Sequence, residues 1–245
     1  MIIDWFRAAH EADPGARLVL NEGGGDGRRG KNLLKLARIL VDAKAPISGV
    51  GLESHFGWGV PGAQRAYETF DQFAALGLEI SITEFDHVIS DEQLQADWER
   101  DFLTIAFSHP KVTSFTRWGF HNVKGAKRPR GFINPDWTLQ PNGQVYVDLN
   151  FKQWWTNLAG QTDAQGRFSG RGFAGQYDSL VTHDGQSWNF GPANVPAEGK
   201  LEIAVELSER SRLATEAARQ QAAKAKAAAI AEVENRLDSR LGQAQ

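Results

Sequence analysis

The sequence predicts an α/β fold, built from repeating βα units around a parallel sheet or barrel. Three observations carry that expectation. Short apolar, β-branched runs recur at intervals of about thirty residues, at 47–54, 78–84 and 112–118. Segments with apolar side chains at helical spacing lie between them. Each run also ends in polar or aromatic side chains: Glu53 and His55, then Glu84 and Asp86, then Trp118. In an α/β barrel, chemistry gathers at the C-terminal ends of the strands.

In chain order, residues 2–12 place Ile2, Trp5, Phe6 and Ala9 at helical spacing, so a helix opens the chain. Asp13-Pro14-Gly15 ends it with turn chemistry, and His10 falls on its polar side. Residues 17–21 read as a strand ending in Asn21. Glu22 and a glycine-rich run, 23–27, follow. Such a loop before a helix can cradle a phosphate, yet its spacing to Lys31 matches neither a P-loop nor a dinucleotide fingerprint. Leu33, Leu34, Leu36, Ala37, Leu40 and Val41 form the next helix, closed by Ala45-Pro46. After the strand at 47–54 comes a loop holding Trp58, which either floors a ligand subsite or anchors the loop. A helix over 63–76 stops at Gly77.

In the central strand, Ile80 and Ile82 alternate with Ser81 and Thr83. Glu84 and Asp86 stand two apart at its end, where an extended chain points both to one face. Charges ending an apolar strand are costly to bury without a partner. The plain alternative is a hydrated strand end, but His55, Glu84, Asp86 and Trp118 all converge on equivalent ends. Ser90, Asp91 and Glu92 then cap and charge the start of a helix through Phe107, with Trp98, Phe102 and Ile105 on its buried face. His109-Pro110 ends that helix. The strand at 112–118 and a helix over 143–158 complete this part.

From Gln161 the character changes. Residues 162–168, 175–183 and 200–207 read as short alternating strands, with Asp184-Gly185 as a hairpin turn. Residues 208–243 are rich in Ala, Gln, Glu and Arg, and Leu213, Ile230, Val233, Leu237 and Leu241 are too sparse for a heptad seam. A solvated helix is expected there. The expected organisation is therefore 1–160, a small β module over 161–207, and a helical tail over 208–245.

Composition narrows the function classes. Thirty acidic against 27 basic residues leave a net charge of −3, which offers no bulk attraction to nucleic acid or an anionic membrane. The absence of Cys excludes disulfides, thiolate metal sites and Cys nucleophiles. Nothing in the sequence has the length of a membrane-spanning apolar run, and the first residues lack a basic start with an apolar core. Eight Trp among 10% aromatics suit flat sugar faces, although most Trp serve the core.

Gly-Val-Gly-Leu-Glu-Ser-His-Phe (49–56), Ile-Thr-Glu-Phe-Asp (82–86) and Phe-Thr-Arg-Trp-Gly (115–119), in that order and spacing, resemble glycoside hydrolase family 10, the endo-β-1,4-xylanases. The resemblance covers roughly residues 4–157. It implies the C-terminal half of a (β/α)8 TIM barrel, followed by a small all-β module and a C-terminal helix. Four barrel strands are visible against the eight such a barrel needs. The resemblance places the other four before Met1, with the general acid's Trp-x-x-x-Asn-Glu motif, of which these 245 residues hold no copy.

By the same resemblance Glu84 is the nucleophile, His55 hydrogen-bonds it, Asp86 orients His55, and Trp118 lies under the sugar. Asn21 also fits the family's substrate-binding pattern, whereas Glu22 and Gly23 depart from it. Glu53 stands where the family has Gln, and a carboxylate so near Glu84 is expected to raise one pKa of the pair. Asn122 replaces the family's Asp, and Pro129-Arg-Gly-Phe occupies the region of its second Trp. The implied function is retaining hydrolysis of plant cell-wall polysaccharide, xylan or an oligosaccharide, by a secreted protein without cofactor or metal. Neither nucleic acid nor membrane is an expected partner, and self-association through the open half-barrel is. The alternative is a non-catalytic carbohydrate-binding or structural remnant.

Overall fold

Apolar periodicity sets the architecture, and the computed structural model describes residues 1–23, 27–57, 60–125, 130–197, 199–209, 220–221 and 224. The chain divides into two compact units, Met1–Trp155 and Thr156–Gln245. The first runs α1 (Ile2–Ala12), β1 (Val19–Glu22), α2 (Gly27–Asp42), β2 (Gly49–Leu52), β3 (His55–Phe56), α3 (Ala63–Ala74), β4 (Glu79–His87), α4 (Glu92–Ser108), β5 (Val112–Arg117) and α5 (Pro141–Asp148). A π-helical turn, Leu149–Gln153, extends α5. Pro141 starts α5 at a position where its missing N–H costs nothing, two residues before the expected boundary.

The named strands of this unit all pair in parallel. The order is β1-β2-β4-β3, and β5 pairs β4 as well. Parallel strands joined by helices form a partial α/β barrel, as the strand spacing predicts. Leu33, Ala37 and Leu40 of α2 and Phe70 and Phe73 of α3 pack with Val50, Leu52, Ile80, Ile82, Phe85 and Phe102 in one buried core. Phe85 stacks on Trp98 and Phe102 of α4, with ring centroids 5.6 and 4.8 Å away. Trp5 does not join the core: it is exposed, and α1 contributes Ile2, Ile3 and Phe6 instead.

The central strand runs to His87, past the end expected at 84, and its register slips on the way. β4 pairs with β2 up to Leu52↔Ile82 and with β3 from His55↔Asp86. Against β5 the same slip falls between Ile82 and Phe85. One extra residue on β4, opposite both neighbours, is a β-bulge, a device found beside active sites because it re-aims a side chain. Without it, alternation from Ile82 would send Glu84 towards the helices. With it, Phe85 and His87 face α4, while Thr83, Glu84 and Asp86 face the other way. On the neighbouring strand, Ser54 takes the left-handed φ of 58° between β2 and β3.

A buried polar cluster ties α4, β4, β5 and α5 together. Glu99, fully buried, receives Arg117 Nη1 at 2.8 Å on one oxygen. Its other oxygen meets His87 Nε2 at 2.9 Å and Asn142 Nδ2 at 3.2 Å. The Arg117 guanidinium also lies over the rings of Phe85 and Phe132, at 5.2 and 4.5 Å. Burial pushes that guanidinium below its ordinary pKa, opposed by the charges of Glu99 and Asp86.

In the second unit, β6 (Gly175–His183) and β7 (Gln186–Val195) form an antiparallel hairpin. Asp184 and Gly185 turn it with positive φ at both positions, as the Asp-Gly pair predicts. The other two expected strands are not strands. Residues 162–168 hold a turn in which Asp163 Oδ1 accepts from the backbone N–H groups of Gln165 and Arg167 at 3.0 and 2.8 Å. Residues 200–207 pair in no ladder. Alternation marks a residue's face, but a strand also needs a neighbour to bond. Nearly all of the expected helical tail, and Trp58, lie outside the described residues. Among the described residues no helix is long and apolar enough to cross a membrane.

Replacing Glu99 by Gln leaves Arg117 buried without its counter-charge. Urea unfolding of Glu99→Gln is expected to show a loss of about 3 kcal/mol. Replacing both charges by Met is expected to recover part of that loss.

Candidate active site

The bulge in β4 and the short strand β3 bring three titratable side chains into one row. His55 Nδ1 lies 2.8 Å from Asp86 Oδ1, and His55 Nε2 lies 3.2 Å from Glu84 Oε2. Asp86 is buried, whereas Glu84 and His55 remain partly open to solvent. The Trp118 ring meets His55 edge-on at 5.8 Å and is otherwise exposed. It is fixed through its backbone, whose N–H donates to the carbonyl of Phe85 at 3.0 Å. Next along β4, Thr83 Oγ1 donates to Asn21 Oδ1 on β1 at 2.8 Å. That carboxamide occupies the space a side chain at Gly51 would need, so glycine there lets β1 and β2 present Asn21.

The row dictates the charge on His55. Asp86 accepts a hydrogen bond, so Nδ1 must carry a proton. Nε2 then faces a Glu84 oxygen, and a contact with an ionised carboxylate needs a second proton. Burial works most strongly against the imidazolium, and the hydrogen bond and charge of Asp86 oppose it. With the Glu84 hydrogen bond and the Glu53 charge added, the His55 pKa is raised above its ordinary 6.5.

The structure brings together five of the residues singled out in the sequence. His55, Glu84 and Asp86 are mutually bonded, Trp118 flanks them, and Asn21 stands one strand residue away through Thr83. Glu53, expected to act on Glu84, adds its charge to His55. The residue missed is Arg130, whose Nη1 lies 2.8 Å from Asp86 Oδ2. Its only sequence signal was the departure Pro129-Arg-Gly-Phe. Asn122, another departure, accepts the backbone N–H groups of Arg130 and Gly131 at 2.9 and 2.8 Å.

A raised folded-state pKa fixes the sign of one pH effect. The stabilisation from charged His55 is complete below about pH 6.5 and is lost as pH rises through the higher folded midpoint. An NMR titration of the His55 ring should therefore give a midpoint above the ordinary value. Asp86→Asn should lower that midpoint and flatten the fall in urea stability above neutral pH.

Comparison with known proteins adds lineage to this geometry. The family model described as glycosyl hydrolase family 10 matches residues 1–127. Anti-sigma-I factor RsgI6 of Acetivibrio thermocellus is 32% identical over 207 residues, covering 84% of this chain and 25% of that protein. Endo-1,4-beta-xylanase 2 of Arabidopsis thaliana is 30% identical over 177 residues, covering 70% of this chain and 16% of that protein. The crystal structure of xylanase 10B from Thermotoga petrophila, in complex with xylobiose, shares the fold with a TM-score of 0.55 at 23% identity, over 62% of this chain and 51% of that one. The chain thus spans a quarter or less of these two curated relatives and about half of the solved xylanase. It belongs to glycosyl hydrolase family 10, and its first unit is a partial α/β barrel of that family.

Proposed function

We propose that this chain carries the nucleophile half of a retaining endo-β-1,4-xylanase, acting on xylan or its oligosaccharides outside the cell. The Glu84–His55–Asp86 row carries the reading. Glu84 attacks the anomeric carbon and becomes glycosylated, and the leaving oxygen departs. Protonated His55 donates to Glu84 and keeps it ionised and aimed. Asp86 holds the imidazole by its other nitrogen, and Trp118 offers an exposed ring to the apolar face of the sugar. The xylobiose bound by the Thermotoga petrophila xylanase supports the substrate class.

A retaining enzyme also needs an acid roughly 5–5.5 Å from the nucleophile. We place that acid outside these 245 residues, because the Trp-x-x-x-Asn-Glu motif is absent from them. A second reading, a non-catalytic carbohydrate-binding module, draws on the similarity to a protein named as an anti-sigma factor rather than a xylanase. Self-association belongs to the same proposal. Among the described residues β1 pairs only with β2, and β5 only with β4, so both leave an edge that a second copy can cover. Sedimentation is expected to show a dimer or larger species; a monomer at all concentrations removes this part.

Two substrates separate the readings. Xylan should be cleaved negligibly by this chain, since proton donation to the leaving oxygen is worth roughly 10²–10⁴-fold. An activated 2-fluoro xyloside with a dinitrophenolate leaving group needs no proton. It should label Glu84, seen as a mass adduct on the peptide that contains it, and Glu84→Gln should abolish the label. Binding of xylo-oligosaccharide without any adduct favours the non-catalytic module. An adduct that persists in Glu84→Gln overturns the assignment and turns attention to Glu53 and Glu22.

A further inference from the structure

Asp86 is 3% exposed, and a buried carboxylate is stable as an anion only with partners placed on it. Among the described residues it has two, one on each oxygen. His55 Nδ1 takes Oδ1 and Arg130 Nη1 takes Oδ2, both at 2.8 Å. Arg130 belongs to no strand, so its place depends on how its backbone is held. Asn122 Oδ1 accepts from the N–H groups of Arg130 and Gly131. The Arg130 carbonyl accepts from Arg117 Nη2, and Arg117 is fastened to the buried Glu99. Gly131 permits the approach: a Cβ there would stand 2.6 Å from the Phe120 carbonyl oxygen and 3.1 Å from Asn122 Oδ1. Asn122 and Arg130-Gly131 therefore form one clamp, built from positions where this chain departs from the family pattern.

We propose that Arg130 is a positioning residue of the site: it divides the Asp86 carboxylate with His55, one oxygen each, and so sets how tightly the proton between His55 and Glu84 is held. The proposal deepens the reading of Glu84 as nucleophile and rests on it. A buried carboxylate facing an imidazole alone would hold the imidazolium strongly, because loss of its proton would leave the anion without a counter-charge. A guanidinium does not deprotonate in this range. It keeps Asp86 compensated in either state of His55, and His55 can then release the Nε2 proton. Among the described residues, the groups facing His55 are Asp86 and Glu84 from β4, Glu53 from the link between β2 and β3, and the ring of Trp118. Asp86 in turn faces His55, Arg130 and, at longer range, Arg117, which is committed to Glu99.

The test is an NMR titration of the His55 ring in the whole chain, its resonance assigned by its loss in His55→Gln. Arg130→Gln withdraws the cation and should raise the midpoint by about half a unit or more, the order expected for one partly screened charge. Arg130→Lys returns a cation and should bring the midpoint back towards the wild-type value. Asn122→Ala, which frees the clamp and keeps the charge in the chain, should also raise it, and serves if Arg130→Gln does not fold. A midpoint in Arg130→Gln or Asn122→Ala equal to or below that of the wild type overturns the proposal. The glycoside label on Glu84 keeps the two readings apart. An unmoved midpoint with intact labelling removes the role of Arg130 alone, whereas a shifted midpoint without labelling removes the nucleophile and leaves the charge-sharing standing.

Discussion

The site depends on one residue too many in β4. Between Ile82 and Phe85 the strand slips against both neighbours, and that slip decides which way Glu84 points. Regular alternation would make Glu84 follow Ile80 and Ile82 towards the helices, where an anion would need a partner among Phe85's neighbours. The bulge instead gives that space to Phe85, which fills it by stacking on Trp98 and Phe102. Packing of a large aromatic on one side thus holds a carboxylate in place on the other. The energy of the core and the geometry of the row are the same fact seen from two faces of one strand.

The polar cluster behind the row serves the same end. Glu99 sits fully buried on α4 and gathers His87, Arg117 and Asn142 from three other segments. Replacing such a cluster by apolar side chains often costs nothing in stability. Its value here is positional. Arg117 passes from Glu99 to the carbonyl of Arg130, so the interior fixes a loop residue that touches Asp86. A chain of direct contacts links Glu99 to Glu84 through Arg117, Arg130, Asp86 and His55.

The departures from the family pattern fall into a single arrangement once the side chains are seen. Asn122 cannot act as the family's Asp, but its carbonyl oxygen accepts two backbone N–H groups that hold the Arg130 loop. Arg130 supplies a cation to Asp86. Glu53, in place of Gln, adds negative charge near His55. Three carboxylates thus act on one imidazole, and Arg130 offsets one of them through Asp86.

The sequence by itself determined the elements and the cast. Apolar periodicity marked α2, α3 and α4, and β-branched runs marked β2, β4 and β5. The motifs around His55, Glu84 and Trp118 identified the family, because short-range patterns of this kind are written in adjacent residues. Asp184-Gly185 announced its hairpin for the same reason, since the positive φ values it needs are local demands. Tertiary structure decided the rest. The bulge in β4 is a mismatch between strands far apart in sequence, and no pattern within 79–87 reveals it. The strands expected at 162–168 and 200–207 did not form, because alternation cannot supply a pairing neighbour. Arg130 reaches Asp86 across 44 residues of chain, on a loop whose position is set by Asn122 and by the buried Arg117. Contacts of that separation depend on the closure of the whole unit, and so only the folded chain could disclose them.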